Sequence, residues 1–278
     1  MSDLIPVAAR TQIAVVVPAF NEADSLPELV ERIDAAITGM GRTWEVWIID
    51  DGSNDGTFTV VEELAAVRPQ VHGLSFGRNF GKAAALAAGF DAASAEIVIT
   101  MDADLQDDPA EIPALVTMIE TGGWDLVSGW KQDRKDSFIK NKTSKIFNWF
   151  TSRMCGLNLH DFNCGLKAYR SEVTRQVKLY GEMHRYVPAV AYLEGFKVTE
   201  MPVKHFARKH GQTKYGVDRF VNGFLDLLTV YFLYAKQSSP LHFFGRMGLG
   251  FLTVGGAISF YHLIYWLMGH ALRPRPSL

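Results

Sequence analysis

The sequence predicts an open α/β sheet with its working edge at the C-terminal ends of the strands, and three runs carry that prediction. Residues 13–22 read Ile-Ala-Val-Val-Val-Pro-Ala-Phe-Asn-Glu, an apolar strand of the buried type running into a polar turn. Residues 46–56 repeat the pattern, with Val-Trp-Ile-Ile ahead of Asp50-Asp51-Gly52-Ser53-Asn54-Asp55-Gly56. A third apolar strand, residues 96–101, ends in Asp102-Ala103-Asp104-Leu105-Gln106. Ligands of open α/β sheets bind outside the carboxyl ends of the strands, and all three runs place polar and acidic residues there.

The remaining elements follow from local pattern. Leu26, Leu29, Val30, Ile33 and Ile37 recur at helical spacing, with Glu28, Glu31 and Asp34 between them. Asp55-Gly56 opens a second helix carrying Val60, Val61 and Leu64 on one face. Residues 71–76 read as a short strand, residues 82–93 as an Ala-rich helix and residues 97–101 as the strand feeding the acidic pair. Pro109 stands where a helix starts, since its missing N–H needs no partner there, ahead of Ile112, Leu115, Val116 and Ile119. Residues 125–128 add one more strand, and no internal repeat or low-complexity linker interrupts the series.

Asp102 and Asp104 are the most informative residues of the chain. A period-2 backbone points positions i and i+2 to the same side, so both carboxylates can reach one hard cation such as Mg2+ or Mn2+. Solvated turn residues are the plainer reading of the same pair.

Composition bounds the rest. The chain has 278 residues and a formal net charge of −2, long enough for one α/β domain and an appendage. Without a basic excess, nucleic acid is not an expected partner. Cys155 and Cys164 lack a metal-type spacing and are expected to be reduced core thiols. Residues 1–12 contain no basic region followed by a long apolar stretch, so no signal peptide is expected and the catalytic part is placed on the cytoplasmic side.

The second half changes character. Lys131, Arg134, Lys135, Lys140, Lys142, Lys145 and Arg153 face only Asp133 and Asp136, and Ile146, Phe147, Phe150 and Met154 run an apolar stripe through the same stretch. Lys204, His205, Arg208, Lys209, His210 and Lys214 form a second basic cluster. One such cluster reads as a solvated face; two beside an apolar C-terminus fit an anionic, lipid-linked ligand at a membrane surface better. Residues 223–235, with Asp226 as their only formal charge, suit an interfacial helix. Residues 247–268 lack Lys, Arg, Asp and Glu over a length that crosses a hydrocarbon core, a long core helix being the alternative. The chain is therefore divided into a catalytic domain (1–218), a juxtamembrane helix (219–245) and a transmembrane helix with a short tail (246–278). Gly248, Gly250, Gly255, Gly256 and Ala257 suit helix–helix packing, which is compatible with a homo-oligomer.

Taken in order, Val17-Pro18-Ala19-Phe20-Asn21-Glu22, Asp50-Asp51-Gly52-Ser53, Asp102-Ala103-Asp104-Leu105-Gln106 and the run from Arg208 to Tyr215 resemble the family 2 glycosyltransferases of the GT-A fold. The resemblance is closest to the polyprenyl-phosphate branch, which includes dolichyl-phosphate mannosyltransferases and bactoprenyl-phosphate glucosyltransferases. It implies a Rossmann-like mixed sheet and an enzyme moving one hexose from a nucleotide sugar, GDP-mannose or UDP-glucose, to a polyprenyl phosphate at the cytoplasmic membrane face. It also implies Mg2+ or Mn2+ on Asp104, with Asp102 and Gln106 sharing the site. Asp51 would read the nucleobase, and Pro18, Phe20 and Glu22 would line the nucleoside pocket. Arg78 and Lys82 would contact donor phosphate or base, a plain helix start being the other reading of Lys82. Asp161, in Asp161-Phe162-Asn163-Cys164-Gly165, would touch the sugar or acceptor, with helix capping as the alternative. Arg208 and Lys214 would grip phosphate from a loop hinged at Gly211.

An acceptor of this class alters the chemistry required. A phosphate monoester has a second pKa of about 6, so near neutral pH it is already an anionic nucleophile and needs orienting cations rather than a general base. Lys131, Lys140 and Ser144 are the candidates, the last two one helical turn apart on one face. A single in-line displacement inverts the anomeric centre. Two other readings stay open: a transferase acting on a saccharide or soluble acceptor, and a catalytically idle nucleotide-binding membrane scaffold.

Overall fold

A computed structural model of the chain describes residues 11–132, 148–206, 225–227, 229–232 and 240–269. Its strands are β1 (Thr11–Ala19), β2 (Trp44–Asp50), β3 (Val71–Ser75), β4 (Ala95–Thr100), β5 (Leu126–Lys131), β6 (Lys167–Arg170) and β7 (Val198–Val203). They form one sheet in the order β3-β2-β1-β4-β6-β5-β7. Among these strands only β6 runs antiparallel to its neighbours, pairing with β4 (Thr100↔Lys167) and β5 (Ser128↔Lys167). The mixed sheet expected of the chain is present.

The helices of the first half fall where the apolar spacing puts them: α1 (Leu26–Thr38), α2 (Thr57–Val67), α3 (Lys82–Ala92) and α4 (Ile112–Glu120). α1 buries Leu26, Leu29, Val30, Ile33 and Ile37, in one core with Val15 and Val17 of β1, Val61 of α2 and Leu115 of α4. α3 covers the opposite face. There Gly89 lies so close to β1 and β2 that an added Cβ would stand 2.2 Å from Val16 Cγ1. β1 is thus buried on both sides, which is why its sequence is continuously apolar rather than alternating.

The strand order 3-2-1-4 reverses direction between β1 and β4. This is the switch point at which open α/β sheets leave a crevice at their carboxyl ends. Pairing of β1 with β4 stops at Val16↔Thr100, just before Pro18 and Met101, so the two chain ends separate there.

β6, β7 and the short helices α5 (Ser171–Gln176) and α6 (Val187–Leu193) have no counterpart in the sequence reading. The chain forms two compact units, Met1–Tyr231 and Phe232–Leu278. Leu227 and Val230 are buried in the first unit, and residues 207–224, across the expected boundary at 218, lie outside the described residues. In the second unit α7 (Pro240–Leu267) contains an apolar stretch, Phe244–Leu267, whose side chains are exposed throughout. At 1.5 Å per residue its 24 residues extend about 36 Å, more than the roughly 30 Å of a hydrocarbon core.

Candidate active site

The acidic loop leaves β4 with its alternation intact. Met101, Ala103 and Leu105 enter the core, while Asp102 and Gln106 are half-buried toward the crevice. Leu105 adopts φ 60°, a left-handed conformation that costs an ordinary L residue about 1–2 kcal/mol. Burying its side chain offsets this by about 1.5–3 kcal/mol. The turn brings Asp104 back on itself: its Oδ1 accepts the Gln106 N–H at 3.2 Å. Gln106 is in turn fixed to the end of β7, donating from Nε2 to the Phe206 carbonyl at 3.3 Å and accepting the Phe206 N–H at 2.8 Å.

Asp102 lies between a cation and a glycine. Lys82, at the start of α3, is ion-paired with its Oδ1. Gly165 supports it from below, leaving no space for a side chain: an added Cβ would meet the carboxylate atoms at 2.6–2.7 Å. Thr100 Oγ1 donates to the Gly165 carbonyl at 2.8 Å and lies 3.2 Å from the Tyr169 hydroxyl, so the backbone beneath Asp102 is held from the strand side. A small pocket opens here, lined by Pro18, Lys82, Asp102, Asn163, Lys167 and His184 among others. Lys167 is buried, donates to the Cys164 carbonyl, and has its ammonium pKa pushed down by that burial.

The second acidic edge, after β2, builds a loop platform. Asp50 accepts the Ser53 N–H at 3.0 Å and the Ser75 hydroxyl at 2.9 Å. Asp51 spans the start of α3, its two oxygens accepting the N–H groups of Phe80 (2.7 Å) and Gly81 (2.9 Å). Burial pushes the Asp51 carboxyl up in pKa even though both hydrogen bonds pull it down. Gly52, at φ +72°, lies directly under the same loop: a Cβ there would stand 2.4 Å from the Arg78 carbonyl carbon. Arg78 and Phe80 are therefore presented outward as a pair, the guanidinium 4.6 Å from the ring centroid. On the β1 side, Asn21 at φ 57° accepts the Asn54 N–H (3.0 Å) and donates its own N–H to Ser53 (2.8 Å). Glu22 donates its N–H to Thr57 at 3.0 Å, and Phe20 is exposed beside it.

Asp161 is buried and accepts the Asn163 N–H at 3.0 Å, a turn of its own rather than a helix cap. Its neighbour His160 is clamped by Glu200 of β7, through Nδ1 at 2.5 Å and the backbone N–H at 2.8 Å, and stacks on Trp130 at 4.1 Å. Lys131 is not open to solvent as a lone cation: its Nζ lies 3.1 Å from Oδ1 of the buried Asp107. Burial acts to raise the Asp107 carboxyl, yet Lys131 and His205 hold it well below the usual carboxylate range. Burial likewise acts to lower Lys131, and Asp107 holds it above the usual lysine range. Lys140, Ser144, Arg208 and Lys214 lie outside the described residues. Both cysteines are buried and unbonded to each other, as expected.

Asp102 and Asp104, with the Gln106 amide, form a hard-oxygen set of the kind that Mg2+ or Mn2+ takes together with phosphate oxygens and water. Among the described residues no group of three His, Cys, Asp or Glu side chains stands ready to hold a metal alone. The donor types therefore fit a cation shared with a bound diphosphate, with Asp102 already ion-paired to Lys82. Sequence reasoning brought Pro18, Phe20, Glu22, Asp51, Arg78, Lys82, Asp102, Asp104 and Gln106 to this edge. It missed Lys167, Glu200 and Asp107. Only the last left a signal, as a further carboxylate directly after Gln106.

The profile of Glycosyl transferase family 2 matches residues 14–178. A dodecaprenyl-phosphate galacturonate synthase of Rhizobium johnstonii is 40% identical over 280 residues, covering 96% of this chain and 80% of the relative. An undecaprenyl-phosphate 4-deoxy-4-formamido-L-arabinose transferase of Edwardsiella ictaluri is 39% identical, covering 78% and 67%. Among solved structures, mannosyl-3-phosphoglycerate synthase from Rubrobacter xylanophilus superposes with a TM-score of 0.63 at 16% identity, covering 83% of this chain and 76% of that one. A mannosyltransferase from Pyrobaculum calidifontis, solved with GDP-mannose and Mn2+, gives 0.59 at 22%, covering 84% and 67%. At these identities the structural likeness bears on the fold, which is that of GT-A glycosyltransferases.

Proposed function

The chain belongs to glycosyl transferase family 2, and from that membership we propose that it transfers a single sugar from a nucleotide-sugar donor to a polyprenyl phosphate at a membrane face. The observation that carries the reading is the acidic loop at the β1–β4 switch point, where Asp104 closes a turn on the Gln106 N–H and Asp102 rests between Lys82 and Gly165. The named relatives act on dodecaprenyl and undecaprenyl phosphates, which favours this acceptor over a saccharide or a soluble one.

In this proposal Asp51 and Gly52 hold the 78–81 loop so that Arg78 and Phe80 meet the nucleotide, while Pro18, Phe20 and Glu22 border the nucleoside. Mg2+ or Mn2+, held by Asp104 with Asp102 and Gln106 nearby, supplies charge stabilisation to the leaving diphosphate. Asp102 and Asp161 orient the sugar, with Lys82 fixing the carboxylate of Asp102. Arg208 and Lys214 add positive charge around the donor phosphates. Lys131, Lys140 and Ser144 orient the acceptor phosphate, which attacks without a protein base and inverts the anomeric centre. α7 anchors the chain, with the catalytic unit on the cytoplasmic side. GDP-mannose and UDP-glucose remain candidate donors; the relatives' names add a hexuronate and a modified pentose to the candidates.

The test is transfer of radiolabel from a panel of UDP- and GDP-linked hexoses, hexuronates and aminopentoses to undecaprenyl phosphate, with Mg2+, Mn2+ or EDTA. Metal-dependent label in the lipid phase is expected. Donor binding without lipid label would assign the acceptor to another class.

A further inference from the structure

Asp107 immediately follows the acidic loop, and nothing in the proposed chemistry uses it. Its side chain is fully buried (0% exposed), and a buried carboxylate persists only where charge and hydrogen bonding compensate its lost hydration. The compensation comes from two distant parts of the chain. Lys131, the last residue of β5, places Nζ 3.1 Å from Oδ1. His205, just beyond β7, places Nδ1 3.8 Å from the same oxygen. The backbone repeats the link, with an antiparallel bridge between Asp107 and His205 and the Gln106–Phe206 hydrogen bonds beside it.

We infer that Asp107 is a positioning residue: it fixes the Lys131 ammonium for the acceptor phosphate and ties it to the loop that carries Asp104. The inference deepens the proposed function and rests on it. An ammonium carries three N–H donors. Asp107 pairs with that ammonium from one side, so an arriving phosphate would meet a cation already oriented. The Lys131 side chain is 13% exposed, so its head is held in one place instead of sweeping through solvent. A cation fixed in advance loses less rotamer freedom on binding than a mobile one. Because the same carboxylate is joined by backbone to Gln106 and Phe206, the acceptor-facing cation and the donor-facing loop share one anchor.

The test measures lipid-acceptor KM and donor-nucleotide Kd for the full chain in membranes or detergent, using whichever of UDP and GDP the wild type binds. Wild type, Asp107→Asn, Lys131→Met and the double variant are compared. Each single variant is expected to raise acceptor KM about tenfold or more while nucleotide Kd stays within about threefold, and the double variant to be no worse than Lys131→Met, since residues acting through one another are not additive. Lys131→Arg keeps the charge and is expected to hold acceptor KM within about threefold of wild type; it also serves as the readout if Lys131→Met fails to fold. An unchanged acceptor KM in Asp107→Asn, additive losses in the double variant, or a Lys131→Arg as poor as Lys131→Met overturns the inference alone. A wild type that labels no lipid overturns the acceptor reading and this inference with it.

Discussion

Replacing Gly165 by Ala builds a methyl group into the carboxylate of Asp102. The new Cβ would meet Cγ at 2.6 Å and both oxygens at 2.7 Å, where ordinary contact begins at 3.4 Å, so about 0.8 Å (3.4 − 2.6) must be found. The backbone cannot supply it. The Gly165 carbonyl is held by Thr100 Oγ1, Lys167 holds the Cys164 carbonyl, and the next carbonyl, that of Leu166, accepts the Gly129 N–H at 2.8 Å. Gly165 is not among the positive-φ glycines, so alanine adds no backbone strain and the effect is one of position alone. Asp102 must therefore move, and its pairing with Lys82 with it. In the proposed mechanism Asp102 orients the reacting sugar, and a misplacement near 1 Å of such a group costs on the order of 10²-fold in rate, or about 2.7 kcal/mol on the barrier. Initial rates of label transfer give kcat/KM, with nucleotide calorimetry and thermal unfolding as controls. The expected result is a loss of about 10²-fold with nucleotide Kd within about threefold, since the Asp51–Gly52 platform is untouched. A folded Gly165→Ala within threefold of wild type would refute the reasoning.

Gly52→Ala combines a φ of +72° with a Cβ 2.4 Å from the Arg78 backbone. It should lower stability by about 1–3 kcal/mol and weaken nucleotide binding about tenfold, read by thermal unfolding and calorimetry. Asp104→Asn should cut turnover by about 10³-fold or more, the scale of losing several kcal/mol of charge stabilisation, and EDTA should do the same to the wild type; activity preserved in both would remove Asp104 from the metal site. Burial pushes the Cys155 thiol up to about 11 and the Cys164 thiol up to about 12. At pH 8 the thiolate is then about one part in 10³ or less, so iodoacetamide should label neither cysteine until the chain is unfolded; rapid native labelling would contradict their burial. Truncation before Pro240 should move the catalytic unit from the membrane pellet to the supernatant, and retention in the pellet would assign the anchor to earlier residues.

The first half of the fold was legible because its elements are covered by partners of one kind. β1, β2 and β4 are buried over most of their length and so read as largely apolar runs; α1 and α4 bury one stripe and so read at helical spacing. β6 escaped notice because four residues, Lys-Ala-Tyr-Arg, carry no period, and its buried Lys167 is stabilised by a carbonyl that pattern cannot reveal. β7 contains Glu200 and Pro202, an unpromising strand that is tolerated at the sheet edge. In the site, Asp102 and Asp104 were legible through period and chemistry. What Asp51 and Lys131 hold onto was not, since Phe80, Gly81 and Asp107 come to them only through tertiary folding.

β5 and β6 lie side by side and antiparallel, with Ser128 opposite Lys167. Residues 148–166, the described part of the chain between them, contribute no strand to this sheet. Of the residues proposed to touch sugar and acceptor, Asp161, Lys140 and Ser144 fall between β5 and β6 in sequence, whereas Asp51, Gly52 and Arg78 belong to the β2 and β3 edge. On the proposed assignments, descent would alter the two kinds of recognition independently, as exchangeable cassettes on a common chassis. A chimaera that receives residues 132–166 from a relative should inherit the relative's preference for sugar and lipid while keeping its own nucleotide.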